Sequence, residues 1–148
     1  MTINEATLQS LDVFVGEWSM AASLEPNTAD APRARTTFEW LSGKRFLVQR
    51  WEVDHPDAPD GIAVIGFDHD GTTLLQHYFD SRGVTRIYTM AVADGTWTLE
   101  RIATAPDFSQ RFVGTFSEDR GTINGRWEIS HDGLTWIPDF DLVYSRIG

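Results

Sequence analysis

The chain reads as an all-β protein: about ten antiparallel strands closed into an up-and-down barrel behind a short N-terminal helix. Three observations predict this. Runs rich in Val, Ile, Thr, Trp, Tyr and Phe fill the sequence from Gly16 onward. Turn signals separate these runs roughly every 8–12 residues, the rhythm of barrels and sandwiches. The connections alternate between tight, Gly-containing turns and more varied ones, as they do when successive loops fall at opposite ends of a meander.

Thr2 and Glu5 have capping-box spacing, and Leu8, Leu11 and Val15 follow at helical intervals, which predicts a helix ending near Gly16. Strands are predicted near 16–24, 34–42, 45–53, 61–68, 73–80, 84–92, 95–102, 109–117, 121–130 and 134–146. Ser42-Gly43, Asp70-Gly71, Asp94-Gly95 and Asp119-Arg120-Gly121 suit the positive φ of tight hairpins. The other end collects 25–33, 54–60, 81–82, 103–107 and 132–133, two of them long and proline-containing. That end is the predicted mouth, and the helix, entering before the first strand, plugs the other. No linker, low-complexity tract or repeat divides the 148 residues, so one domain over 1–148 is predicted.

Opposed residues of a hairpin project to the same side, so one inner face can be propagated around the barrel. A turn at Ser81-Arg82 sets His77 against Arg86, Leu75 against Tyr88 and Phe79 against Val84. A turn at Asp94-Gly95 sets Tyr88 against Arg101, Met90 against Leu99 and Val92 against Trp97. Phe112, Phe116, Ile123, Trp127, Ile129, Trp136, Phe140, Leu142 and Tyr144 continue the same face, which a one-residue bulge would flip in part. The predicted interior is therefore apolar, interrupted toward the mouth by His77, Arg86, Tyr88, Arg101 and Gln110. An interior arginine needs a partner, either a carboxylate of the protein or a ligand; parity puts Glu39, Asp139 and Asp141 outside, which leaves room for the ligand. The six Trp, nine Phe and three Tyr serve either core filling or the lining of a cavity. Phe46, Val48, Ala63, Ile65 and Phe67 make the outer faces of two strands apolar too, which predicts cover by a homodimer partner or by the 25–33 loop.

A net charge of −10 excludes the basic footprint that nucleic acid requires. Eleven of the twelve basic residues are Arg, with Lys44 the exception, and Arg suits fixed recognition of carboxylates. There is no cysteine, hence no thiol nucleophile, disulfide or thiolate metal site, in keeping with a reducing compartment. No signal-peptide pattern or membrane-length apolar run is present, which predicts a soluble cytoplasmic protein without membrane association. The four histidines lack zinc-site spacing, and no nucleophile elbow, P-loop or dinucleotide fingerprint occurs; neither a metal nor a cofactor is predicted, nor any catalytic residue.

Gly16-Glu17-Trp18 after a short helix resembles the Gly-x-Trp opening of the calycin superfamily, which includes lipocalins, fatty-acid-binding proteins and haem-binding nitrobindins. The resemblance implies that Trp18 closes the barrel floor with Arg146 packed over it, a structural pair. More broadly, the segments 14–18, 39–47 and 66–68 resemble a bacterial family of uncharacterised lipocalin-like proteins. Nitrobindins ligate haem through a C-terminal histidine that has no counterpart here, which leaves inward His77 as the alternative ligand. The predicted function is a binding module. Arg86, Arg101, Tyr88, His77 and Gln110 would grip a carboxylate head, and Trp97, Phe112 and Trp127 would enclose an apolar tail. The alternative is an acid–base isomerase or lyase for a small carboxylate, built on His77 and Tyr88 with Arg86 and Arg101 stabilising developing negative charge.

Overall fold

The computed structural model describes residues 4–23 and 33–147. Ten strands close into one antiparallel barrel, each paired with its sequence neighbours and the first with the last: β1 Gly16–Ser23, β2 Arg33–Trp40, β3 Leu47–Val53, β4 Gly61–Phe67, β5 Leu74–Asp80, β6 Thr85–Ala93, β7 Thr96–Arg101, β8 Ser109–Phe116, β9 Thr122–Ser130 and β10 Ile137–Arg146. The helix α1 spans Glu5–Ser10 and tightens into a 3-10 turn over Leu11–Phe14. Thr2 lies outside the described residues. The observed cap is Asn4, whose side chain accepts the Thr7 backbone N–H at 3.1 Å.

The turns at 41–46, 68–73, 94–95 and 117–121, together with α1, gather at one end, the floor. Leu8, Leu11 and Phe14 enter the barrel there and are almost fully buried. Phe14 meets Trp97, Phe38 and Phe116 at centroid distances of 4.8, 5.1 and 5.5 Å. The opposite end carries the connections 54–60, 81–84, 102–108 and 131–136; the predicted 25–33 loop falls almost wholly outside the described residues.

From β6 to β9 the inner face matches expectation, with Tyr88 and Gln110 beside Arg101, Leu99 against Phe112, and Phe112 against Trp127. On β5 it is inverted. The β5–β6 turn holds three residues, Ser81, Arg82 and Gly83, with Asp80 accepting the Gly83 N–H and donating to the Val84 carbonyl. Gly83 takes φ +85°, the left-handed position closing a three-residue hairpin. The extra residue pairs Gln76 with Tyr88 and Tyr78 with Arg86. Because side chains alternate, a one-residue shift exchanges the faces of the whole strand. Leu75, His77 and Phe79 therefore point outward, and Gln76 and Tyr78 inward.

The same shift propagates to β4, where Ala63, Ile65 and Phe67 belong to the interior and not to the outer face. The outer apolar patch persists with a changed membership. Val48, Val64, His77 and Ile87 form one cross-strand row and Ile62 and Phe79 the next, with Phe46, Phe79 and Ile87 exposed by 41%, 40% and 54%. A second correction lies on β10. The register shifts between Pro138 and Phe140, and this bulge puts Trp136 on the outside. There the Arg111 guanidinium covers its ring at 4.3 Å while pairing with Glu128.

Candidate functional site

The barrel is filled at the floor and hollow toward the mouth. A cavity of about 490 Å³ opens there, within the size range of small-molecule sites. Trp97, Leu99, Phe112 and Tyr144 are among the residues at its base, Trp51, Trp127 and Phe140 among its walls, and Ala58, Pro59 and Phe108 reach it from the mouth loops. The rings interlock, Trp97 with Phe112 at 4.8 Å, Phe112 with Trp127 at 5.2 Å and Trp127 with Tyr88 at 5.5 Å. Gly61 makes space for this wall. A methyl group there would overlap the Trp51 indole, which stacks on Tyr78 at 5.5 Å and donates from Nε1 to the Pro59 carbonyl at 3.2 Å.

The polar groups fall into two sets. Each guanidinium nitrogen of Arg101 is engaged: Nη1 donates to Asp107 at 2.9 Å, Nη2 to the Phe108 carbonyl at 2.8 Å and Nε to Gln110 Oε1 at 3.2 Å. It holds the 102–108 loop and fixes Gln110, which also accepts from the Tyr88 hydroxyl at 2.9 Å. Its carboxylate partner is Asp107, from the adjoining loop. Glu39 is exposed and Asp141 pairs with Arg126, as parity predicts. Asp80, whose side chain is fully buried, accepts from Tyr78 Oη at 2.6 Å and Arg82 Nη2 at 2.7 Å. The Arg82 hydrogen bond holds the Asp80 carboxyl well below the usual carboxylate range, and burial followed by the Asp80 bond pushes the Tyr78 phenol well above its ordinary value.

The second set lines the cavity without being used up. Arg86 has no carboxylate within ion-pair distance among the described residues; its guanidinium lies 5.4 Å from the centroid of Phe108. Gln76, 4% exposed, lines the cavity, and its side chain makes no hydrogen bond among the described residues. Burial pushes the Tyr88 phenol up, with Arg86 and then Arg101 acting against that shift. Asp139, which parity puts outside, lines the cavity instead because the β10 bulge turns it inward. Loss of water alone raises its carboxyl above the ordinary value. Trp97 Nε1 is buried without a hydrogen-bond partner among the described residues.

Of the predicted site residues, Arg86, Tyr88, Gln110, Trp97, Phe112 and Trp127 line one cavity, Arg101 braces its rim, and His77 stands outside. None of the four histidines lines the cavity, so haem ligation through His77 has no route. Sequence reasoning missed Trp51, Gln76, Tyr78 and Asp139. Gly83, placed directly after Ser81-Arg82, is the signal for a three-residue turn that would have revealed Gln76 and Tyr78.

At the floor, Arg146 lies over the Trp18 ring at 4.1 Å and donates to the Val15 and Val13 carbonyls at 2.8 and 2.6 Å. Trp18, fully buried, donates from Nε1 to the Phe14 carbonyl at 2.8 Å. Fold and site thus define a closed β-barrel with an aromatic cavity at one end. Among solved structures, the crystal structure of Rv2717c from M. tuberculosis is similar, with a TM-score of 0.64 over 99% of this chain and 100% of that one at 15% identity. That likeness shows the fold. No protein-family model and no curated sequence matches the chain.

Proposed function

We propose that this barrel is a calycin-type binding module for a small molecule with an apolar body and an anionic group. One observation carries the reading: Arg86 lines a 490 Å³ aromatic cavity with no carboxylate within ion-pair distance among the described residues. Arg86 is half-buried; a guanidinium partly withdrawn from water and left without an ion pair gains charge-assisted hydrogen bonds when an anion enters. Tyr88, Gln110 and Gln76 supply neutral hydrogen-bonding groups nearby. Trp97, Phe112 and Trp127 enclose the body, and Arg101 contributes by fixing Gln110. The acid–base alternative needs His77 beside the substrate, and the outward position of that residue favours binding over catalysis.

The absence of cysteine agrees with a cytoplasmic setting, and among the described residues no helix is long and apolar enough to cross a membrane. The apolar outer row centred on Val64 and His77 supports a homodimer as partner. Sedimentation at micromolar concentration tests it: a dimer that Ile87→Lys dissociates is the expected result, and a monomeric wild type refutes it.

Titration with dodecanoate, followed by calorimetry, tests the binding reading. Saturable one-to-one binding that weakens about tenfold, or ~1.4 kcal/mol, in Arg86→Gln supports it. Binding unaffected by that substitution, or absent with every anionic apolar probe, refutes it.

A further inference from the structure

We infer that the cavity is built for a molecule with two opposite polar ends, an anionic group received by Arg86 and a basic nitrogen received by Asp139. This rests on the binding reading above and narrows its ligand class. Both side chains line the same cavity, and neither has an ion-pair partner among the described residues. Pairing is otherwise the rule on this rim, where Arg101 takes Asp107 and Arg82 takes Asp80.

The topology explains why the two do not neutralise each other. Arg86 is on β6 and Asp139 on β10, separated by three intervening strands one way and five the other around a ten-stranded ring. They stand on facing walls, both at the mouth end of their strands. Asp139 owes its position to one local device. Pro138 opposes Glu128 and Phe140 opposes Trp127, which leaves Asp139 as the extra residue of the bulge, and bulges serve to re-aim side chains. For a ligand that is only an anion, this carboxylate is a liability, because it repels the head group at the entrance and gains nothing. For a ligand with an ammonium at its other end, the same carboxylate regains a partner for the hydration it has lost. The facing placement also requires the two charges to sit at separate ends of the ligand body, which excludes an α-amino acid.

Three probes test this by calorimetry near pH 7: dodecanoate, 12-aminododecanoate and dodecylamine, each with wild type, Arg86→Gln and Asp139→Asn, with thermal unfolding as a check on folding. The expected pattern is crossed. Asp139→Asn weakens 12-aminododecanoate at least tenfold while leaving dodecanoate as tight or tighter, and Arg86→Gln weakens both acids. If Asp139→Asn changes the two acids in parallel, or leaves 12-aminododecanoate unaffected, the two-ended ligand is refuted while the anionic-ligand reading stands. If no probe binds folded wild type, the binding reading fails and this inference with it. Should the Asn variant fail to fold, Asp139→Ser is read in its place.

Discussion

The two ends of the barrel use the same residue types to opposite purpose. At the floor, Arg146 spends its donors on the Val13 and Val15 carbonyls and its charge on the face of Trp18, and the indole N–H is itself satisfied by Phe14. Even the outlying Trp40 finds Asp12, at 2.7 Å. At the mouth, Arg86 lies beside the Phe108 ring and Tyr88 without an ion-pair partner among the described residues, the side chains of Gln76 and Asp139 have no hydrogen-bond partner there, and space remains among the aromatics. An arginine whose hydrogen-bonding capacity is consumed by backbone is part of the frame. One held in a cavity without an ion-pair partner among the described residues is, on the proposed function, the receptor. On that reading function and stability separate along the barrel axis, and substitutions at the two ends should separate in the same way.

The largest effect is expected at the floor. Trp18→Ala removes a fully buried indole with its hydrogen bond, so urea unfolding should show a loss of about 3–5 kcal/mol, with ligand affinity of the folded fraction retained. Arg146→Gln should lower stability by about 1–2 kcal/mol, the scale of an exposed cation–π contact and two charge-assisted hydrogen bonds, again without loss of affinity. Arg86→Gln should do the reverse: about a tenfold loss of dodecanoate affinity with stability held within ~0.5 kcal/mol.

The smallest effect is a pH dependence at the rim. The Asp80 carboxyl is depressed in the folded state by Arg82 and Tyr78, so its stabilisation is present above the ordinary carboxylate pKa of about 4 and is lost as pH falls below it. The difference in Tm between wild type and Asp80→Asn should therefore shrink as pH is lowered from about 5 to about 2. A difference that grows on acidification would contradict this placement of Asp80.

The floor was legible in the sequence because its signals are local and redundant. A Gly-x-Trp opening, a helix before it and an Arg in the last strand all point to one place, and no register error can separate them. The mouth was legible only in part. Its side chains are assigned by parity, and parity is reset by a single residue. The turn residue Gly83 exchanged His77 for Gln76 and Tyr78, and the bulge at Asp139 carried a carboxylate from the surface into the cavity. From β6 through β9 the register keeps the predicted parity, and there Arg86, Tyr88, Gln110, Phe112 and Trp127 fell where alternation puts them. The partner of Arg101 was hidden for another reason, since Asp107 reaches it from an irregular loop that no periodicity describes.

The six tryptophans sample both ends and the outer surface, and their indole N–H resonances test the division most directly during a titration with dodecanoate. The account predicts that Trp51, Trp97 and Trp127 shift together and saturate, while Trp18, Trp40 and Trp136 stay in place. Saturable shifts at Trp18 with Trp127 unmoved would put the ligand at the floor and contradict it.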